Sequence, residues 1–62
     1  MLLKELLDVC VITQKVKVTY FDGVEIIEHI KPVTLLKYEL ESLLDNEIIC
    51  ISSFDNIINV IL

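Results

Sequence analysis

One stretch constrains the fold more than any other: Lys15-Val-Lys-Val-Thr-Tyr-Phe21 alternates, Asp22-Gly23 interrupts, and Val24-Glu-Ile-Ile-Glu-His-Ile30 returns. Alternation rich in β-branched and aromatic residues on both sides of a turn pair is the pattern of a β-hairpin. Asp-Gly tolerates the two positive φ angles of a type I′ loop, whose twist suits the flanking strands. A two-residue loop fixes the register, predicting Phe21 opposite Val24, Thr19 opposite Ile26, Val18 opposite Ile27, Lys17 opposite Glu28 and Val16 opposite His29. One face then collects Val16, Val18, Tyr20 and Ile27 and reads as core. The other sets Lys17 against Glu28, a cross-strand ion pair of about 0.2–1 kcal/mol. Phe21, Val24, Ile26 and Ile30 share that second face, so it is not simply a solvated one.

The remaining elements follow from period and punctuation. Leu2, Leu3, Leu6 and Leu7 recur at helical spacing, predicting a short helix that ends near Asp8 or Val9. Lys31-Pro32 ends the second strand, because proline has no N–H for the ladder. Thr34 is the expected N-cap of a second helix, with Leu35, Leu36, Leu40, Leu43 and Leu44 as its apolar stripe through Asp45. Asn46 suits the left-handed position that stops it. Residues 47–54 and 57–62 form a second hairpin around Asp55-Asn56. Its register puts Ile49, Ile51, Ile58, Val60 and Leu62 on one face. Ser52 opposes Asn59 on the other, beside Ile48, Cys50, Phe54, Ile57 and Ile61. The predicted architecture is a single α+β domain, residues 1–62, of order α-β-β-α-β-β. It is a four-stranded, mainly antiparallel sheet with two short helices on one face.

Composition decides what such a sheet does with its second face. Hydrophobic residues make up 55% of the 62, and Ile, Leu and Val supply 27 of the 34. Alanine is absent, so nearly every apolar side chain is large and gains about 1.5–3 kcal/mol on full burial. A chain this short is mostly surface. The excess therefore predicts a homo-oligomer, with the subunit contact at Phe21, Val24, Ile26 and Ile30 of the first hairpin and Cys50, Phe54, Ile57 and Ile61 of the second.

The charge of −5 is lopsided: residues 38–62 carry Glu39, Glu41, Asp45, Glu47 and Asp55 with no base, and arginine is absent throughout. A nucleic-acid backbone calls for a basic stripe, so nucleic acid is not an expected partner. No apolar run approaches the length of a membrane span, and charges interrupt any leader-like segment at the start, so a cytoplasmic protein without membrane contact is expected. Cys10 and Cys50 are then two reduced thiols. The acids at 39, 41, 45 and 47 suggest either a surface that mimics DNA or, more simply, a solvated helix face.

Catalytic chemistry finds no foothold in the sequence. His29 is the one histidine, Gly23 the one glycine, and the serines lack a nucleophile-elbow context. Cys10 and Cys50 have no C-x-x-C spacing, which leaves a metal site only if cysteine and His29 meet between subunits. The expectation is a protein that is not an enzyme and needs no cofactor.

Leu3-Lys-Glu-Leu-Leu7, the Lys15–Gly23 segment, a short acidic leucine-rich helix and the closing Ile49-Cys-Ile-Ser-Ser-Phe-Asp-Asn-Ile-Ile-Asn-Val-Ile61 together carry a resemblance. In outline the chain resembles small phage and mobile-element proteins of low-GC bacteria. That resemblance implies an accessory protein acting by stoichiometric binding, most directly in countering host defence. Two mechanisms fit it. One is sequestration of a cyclic nucleotide immune signal, with Tyr20, Tyr38 and Phe54 stacking on bases. The other is inhibition of a host protein. A structural or regulatory interaction module without a ligand is the alternative class.

Overall fold

A computed structural model describes residues 1–62 and realises the order α-β-β-α-β-β. Helix α1 spans Leu3–Val9, strands β1 and β2 span Lys15–Phe21 and Ile26–Pro32, and helix α2 spans Val33–Glu39. A 3₁₀ turn at Glu41–Leu43 follows, then strands β3, Cys50–Phe54, and β4, Ile57–Ile61. The sheet order is β2-β1-β4-β3. Both hairpins are antiparallel, and they are joined by a parallel pairing of β1 with β4 that sets Val16 beside Ile58 and Val18 beside Val60.

The second hairpin has the expected register, Phe54 opposite Ile57 and Ser52 opposite Asn59. Asp55 and Asn56 both take positive φ, 55° and 63°, as a type I′ loop requires. The first hairpin turns one residue later than expected. Asp22 pairs with Glu25, the central residues are Gly23 and Val24, and Phe21 faces Ile26. The reason is local: the Asp22 carboxylate accepts the N–H groups of both Val24 and Glu25 at 2.8 Å. An aspartate that bonds its own following backbone belongs at the first position of a turn. Gly23, at φ 100°, then takes the first central position, where a positive φ suits glycine. Moving the turn by one residue slides the register by two, so every side chain keeps its face. Lys17 and Glu28 become diagonal neighbours and still meet at 3.5 Å.

The core is a cluster of nine buried residues: Leu3, Leu6 and Leu7 of α1, Val33 and Leu36 of α2, Leu40 just beyond it, and Val16, Val18 and Val60 of the sheet. Tyr20, Ile27, Ile58 and Leu62 of the expected core are half-buried and lie outside it, and other expected members are exposed. Leu35 points away from the sheet and is about half exposed, because a seven-residue helix turns only one stripe inward. Ile51 sits on the helix side of the sheet yet is 47% exposed. Ile49, expected beside it, lies just before β3, donates its N–H to Ile61 O and is 76% exposed, while Ile48, expected on the outer face, packs against the core. α2 packs over β1 and β2, and β3 stays uncovered, all five of its residues exposed.

α2 also stops earlier than its leucine pattern suggests, at Glu39, and Asn46 has no left-handed backbone. The cause lies at the other helix. The first N–H groups of a helix lack partners within it. Those of Leu3 and Lys4 are taken by the carbonyls of Asn46 and Leu44, at 3.0 and 2.9 Å. That bond requires residues 44–46 to leave the helical path. The favour is returned: Val33 and Thr34 at the start of α2 donate to the carbonyls of Gln14 and Ile12, in the segment that leaves α1. Thr34, expected as an N-cap, is inside the helix, which Pro32 precedes, and its hydroxyl donates to Ile12 O at 3.0 Å. Each helix start is thus capped by the chain leaving the other helix.

Candidate interaction surface

Register settles which side chains share the outer face of the sheet, the one turned away from the helices. Reading across β2-β1-β4-β3, one row holds Ile30, Lys17, Asn59 and Ser52; the next holds Glu28, Thr19, Ile61 and Cys50. Ile26 and Phe21 lie beyond them at the first hairpin's tip, and Ile57 and Phe54 lie at the opposite end, beside the second turn. The expected contact residues therefore share this face or its rim, where Val24 tops the first turn. They are not one continuous patch. The Lys17–Glu28 ion pair, Thr19, Asn59 and Ser52 run between the Phe21–Ile26 corner and the Phe54–Ile57 corner. A mixed face with aromatic anchors matches the make-up of protein–protein interfaces, which as wholes are little more apolar than other surfaces.

The exposures are large. Phe54 is 79% exposed, Ile26 63%, and Phe21 62%. Over the whole chain fourteen large hydrophobic side chains are exposed, against nine in the core. A second apolar region escaped the sequence reading: Val9, Val11 and Ile12, around the end of α1, with Leu35 of α2. The Thr34–Ile12 bonds and the 2.8 Å ion pair of Asp8 with Lys37 draw these segments together. The signal was present in the β-branched residues Val9, Val11 and Ile12 that follow the first helix.

The three aromatic residues expected to stack on bases are dispersed. Tyr20 is on the helix side of β1, its ring stacked on His29 of β2 at 6.0 Å and 6°. Its hydroxyl lies 3.4 Å from His29 Nε2, a long polar contact. Phe54 is on the opposite face at the far edge, and Tyr38 projects from α2, 84% exposed. No cleft opens between them. Phosphate would find few cations either, since Lys4, Lys17, Lys31 and Lys37 are each paired with a carboxylate. The same pairs divide the acidic segment, Glu39 lying against Lys31 and Asp45 against Lys4. Lys4 is held above its ordinary pKa of 10.5 by the hydrogen bond and charge of Asp45. What remains of residues 39–47 is not an uninterrupted negative surface.

Cys10 and Cys50 are both free thiols. No three side chains of metal-ligating type converge within the chain. No helix is long and apolar enough to cross a membrane. No protein-family model matches the sequence, and comparison with curated proteins and with solved structures returns no match.

Proposed function

We propose that this chain is a small accessory protein, of the phage type its sequence outline resembles, that counters host defence by binding a host protein stoichiometrically as a homo-oligomer. The observation that carries the reading is the imbalance between fourteen exposed and nine buried large hydrophobic residues. Isolated apolar residues on a surface need no explanation, but large uncovered apolar patches mark contact sites. Here they fall on two different sides of the molecule. The outer sheet face serves self-association, through Phe21, Ile26, Ile30, Phe54 and Ile61. The Val9–Ile12 region with Leu35 stays free for the target. Nucleotide sequestration is the weaker mechanism, because Tyr20, Tyr38 and Phe54 share no face and one lysine per chain, Lys15, is without a carboxylate partner.

The test uses untagged protein purified from a low-GC bacterial host. The reading expects one host protein to co-purify at fixed stoichiometry, to re-form the complex from purified components, and to be lost with Ile12→Glu while the native mass stays unchanged. Small molecules released by heat denaturation, together with a rise in melting temperature on adding cyclic nucleotides, would transfer the function to sequestration. A purified oligomer that binds neither favours a structural module.

A further inference from the structure

We infer that β3 is a seam at which a second copy of this chain adds its own β3 antiparallel, fusing two four-stranded sheets into one of eight. The two ends of the sheet differ. β2 is guarded by Glu28, Lys31 and Pro32, the devices that blunt an edge strand. β3, Cys-Ile-Ser-Ser-Phe, has no charge and no proline, and none of its side chains is covered on either face. The two-residue loop makes Phe54 and Ile57 a hydrogen-bonded pair, and alternation then turns Cys50, Ser52 and Phe54 toward β4. The N–H and C=O groups of Ile51 and Ser53 face outward.

That geometry identifies the partner. Pairing about a two-fold axis at Ser52 sets Ile51 against Ser53 of the second copy, so both outward-facing residues bond to each other's equivalents. It also places Phe54 of the second copy beside Cys50. On the outer face the row Ile61–Cys50 then continues into Phe54 and Ile57 of the second copy, and its symmetry mate does the same at the other end. Two half-patches become two unbroken apolar rows. Charge agrees: each chain carries −5, yet the paired residues Cys50–Phe54 carry no charge, so no carboxylate faces another across the seam. Because β2 is guarded, the addition closes after two chains instead of growing into a fibre.

The seam rests on the reading that the chain self-associates, but not on which surface does the rest, and a register-specific cross-link separates the two. Ser52 faces its own symmetry mate in a non-hydrogen-bonded pair, where Cα atoms lie about 4.5 Å apart, within disulfide reach. Ser53 does not face itself. In a Cys50→Ser background, Ser52→Cys should oxidise to a covalent dimer at least about ten-fold faster than Ser53→Cys. Ser52→Lys, which puts like charges on the axis, should halve the native mass while leaving the circular dichroism spectrum and melting cooperativity of a folded chain. Equal cross-linking rates for the two cysteine variants overturn the seam, as does an unchanged native mass in folded Ser52→Lys. Ile26→Lys probes the sheet face alone: loss of mass there with Ser52→Cys still cross-linking leaves the seam standing, and the reverse pattern removes it while keeping self-association.

Discussion

The side-chain amide of Gln14 donates to the main-chain carbonyl of Asn56 at 2.7 Å, across 42 residues of sequence. The same nitrogen lies 2.9 Å from Lys15 O. Gln14 immediately precedes β1 and Asn56 immediately precedes β4, so one amide pins the starts of the two central strands, where the two hairpins meet. Gln14→Ala should lower unfolding free energy by about 0.5–1.5 kcal/mol, the net worth of such bonds. Gln14→Glu, which replaces a donor by an acceptor facing two carbonyls, should cost more. Urea titrations with unchanged slope check both.

The turn at Asp55-Asn56 should respond to glycine and to branching in opposite directions. Both residues sit in the left-handed region, which costs most L-residues about 1–2 kcal/mol. Asn56→Gly is therefore expected to raise stability or leave it unchanged, whereas Asn56→Val should lower it by about that amount. A higher denaturation midpoint for the valine variant would contradict the assignment of this loop.

Acid should loosen the first hairpin before it unfolds the chain. The N–H groups of Glu25 and Val24 hold the Asp22 carboxyl below its ordinary pKa of 3.8. A depressed carboxyl pKa means the stabilising contribution is complete above pH 3.8 and fades as pH falls through the lower folded value. The protection of the Val24 and Glu25 amides against exchange, relative to the intrinsic rate at each pH and followed down from neutral pH, should fall only in that acid range. In Asp22→Asn, which keeps an acceptor oxygen but does not titrate, the change should be absent.

Self-association through the outer sheet face predicts a smaller particle when that face is charged. Ile26→Lys and Ile61→Lys should each reduce the native mass toward the 7.1 kDa of one chain. Neither side chain contributes to the nine-residue core, so both variants should keep their melting cooperativity. An unchanged mass in both would move the contact elsewhere.

How far the sequence foretold this fold varied with the range of the forces involved. The Asp55-Asn56 register was legible because two residues suited to positive φ leave one way to close the loop. The Asp22-Gly23 turn was misplaced by one residue, because an Asx bond competed with the type I′ reading, yet side-chain parity protected the face assignment. The early end of α2 was not legible at all. It depends on Leu3 and Lys4 claiming the carbonyls of Asn46 and Leu44, a demand that comes from the other end of the chain. The exposure of Ile51 was hidden for a similar reason, since helix coverage is a property of packing and not of period, while Ile48 and Ile49 exchanged their expected faces because strict alternation stops at Cys50. Of the candidate site, the outer-face residues were found by alternation, while the polar band that divides them needed the order in which the strands line up.

The parallel pairing of β1 with β4 also has a consequence for synthesis. Val16 must wait for Ile58, and the strand that fills the middle of the sheet is made after every element around it. At about 5–20 residues per second, the edge of β1 stands open for roughly 2–8 s on the ribosome. For most of that interval α1 lacks the carbonyls of residues 44 and 46 as well. The first half of the chain therefore has no stable fold of its own to adopt early, and folding becomes an event that follows translation of β4 instead of accompanying it.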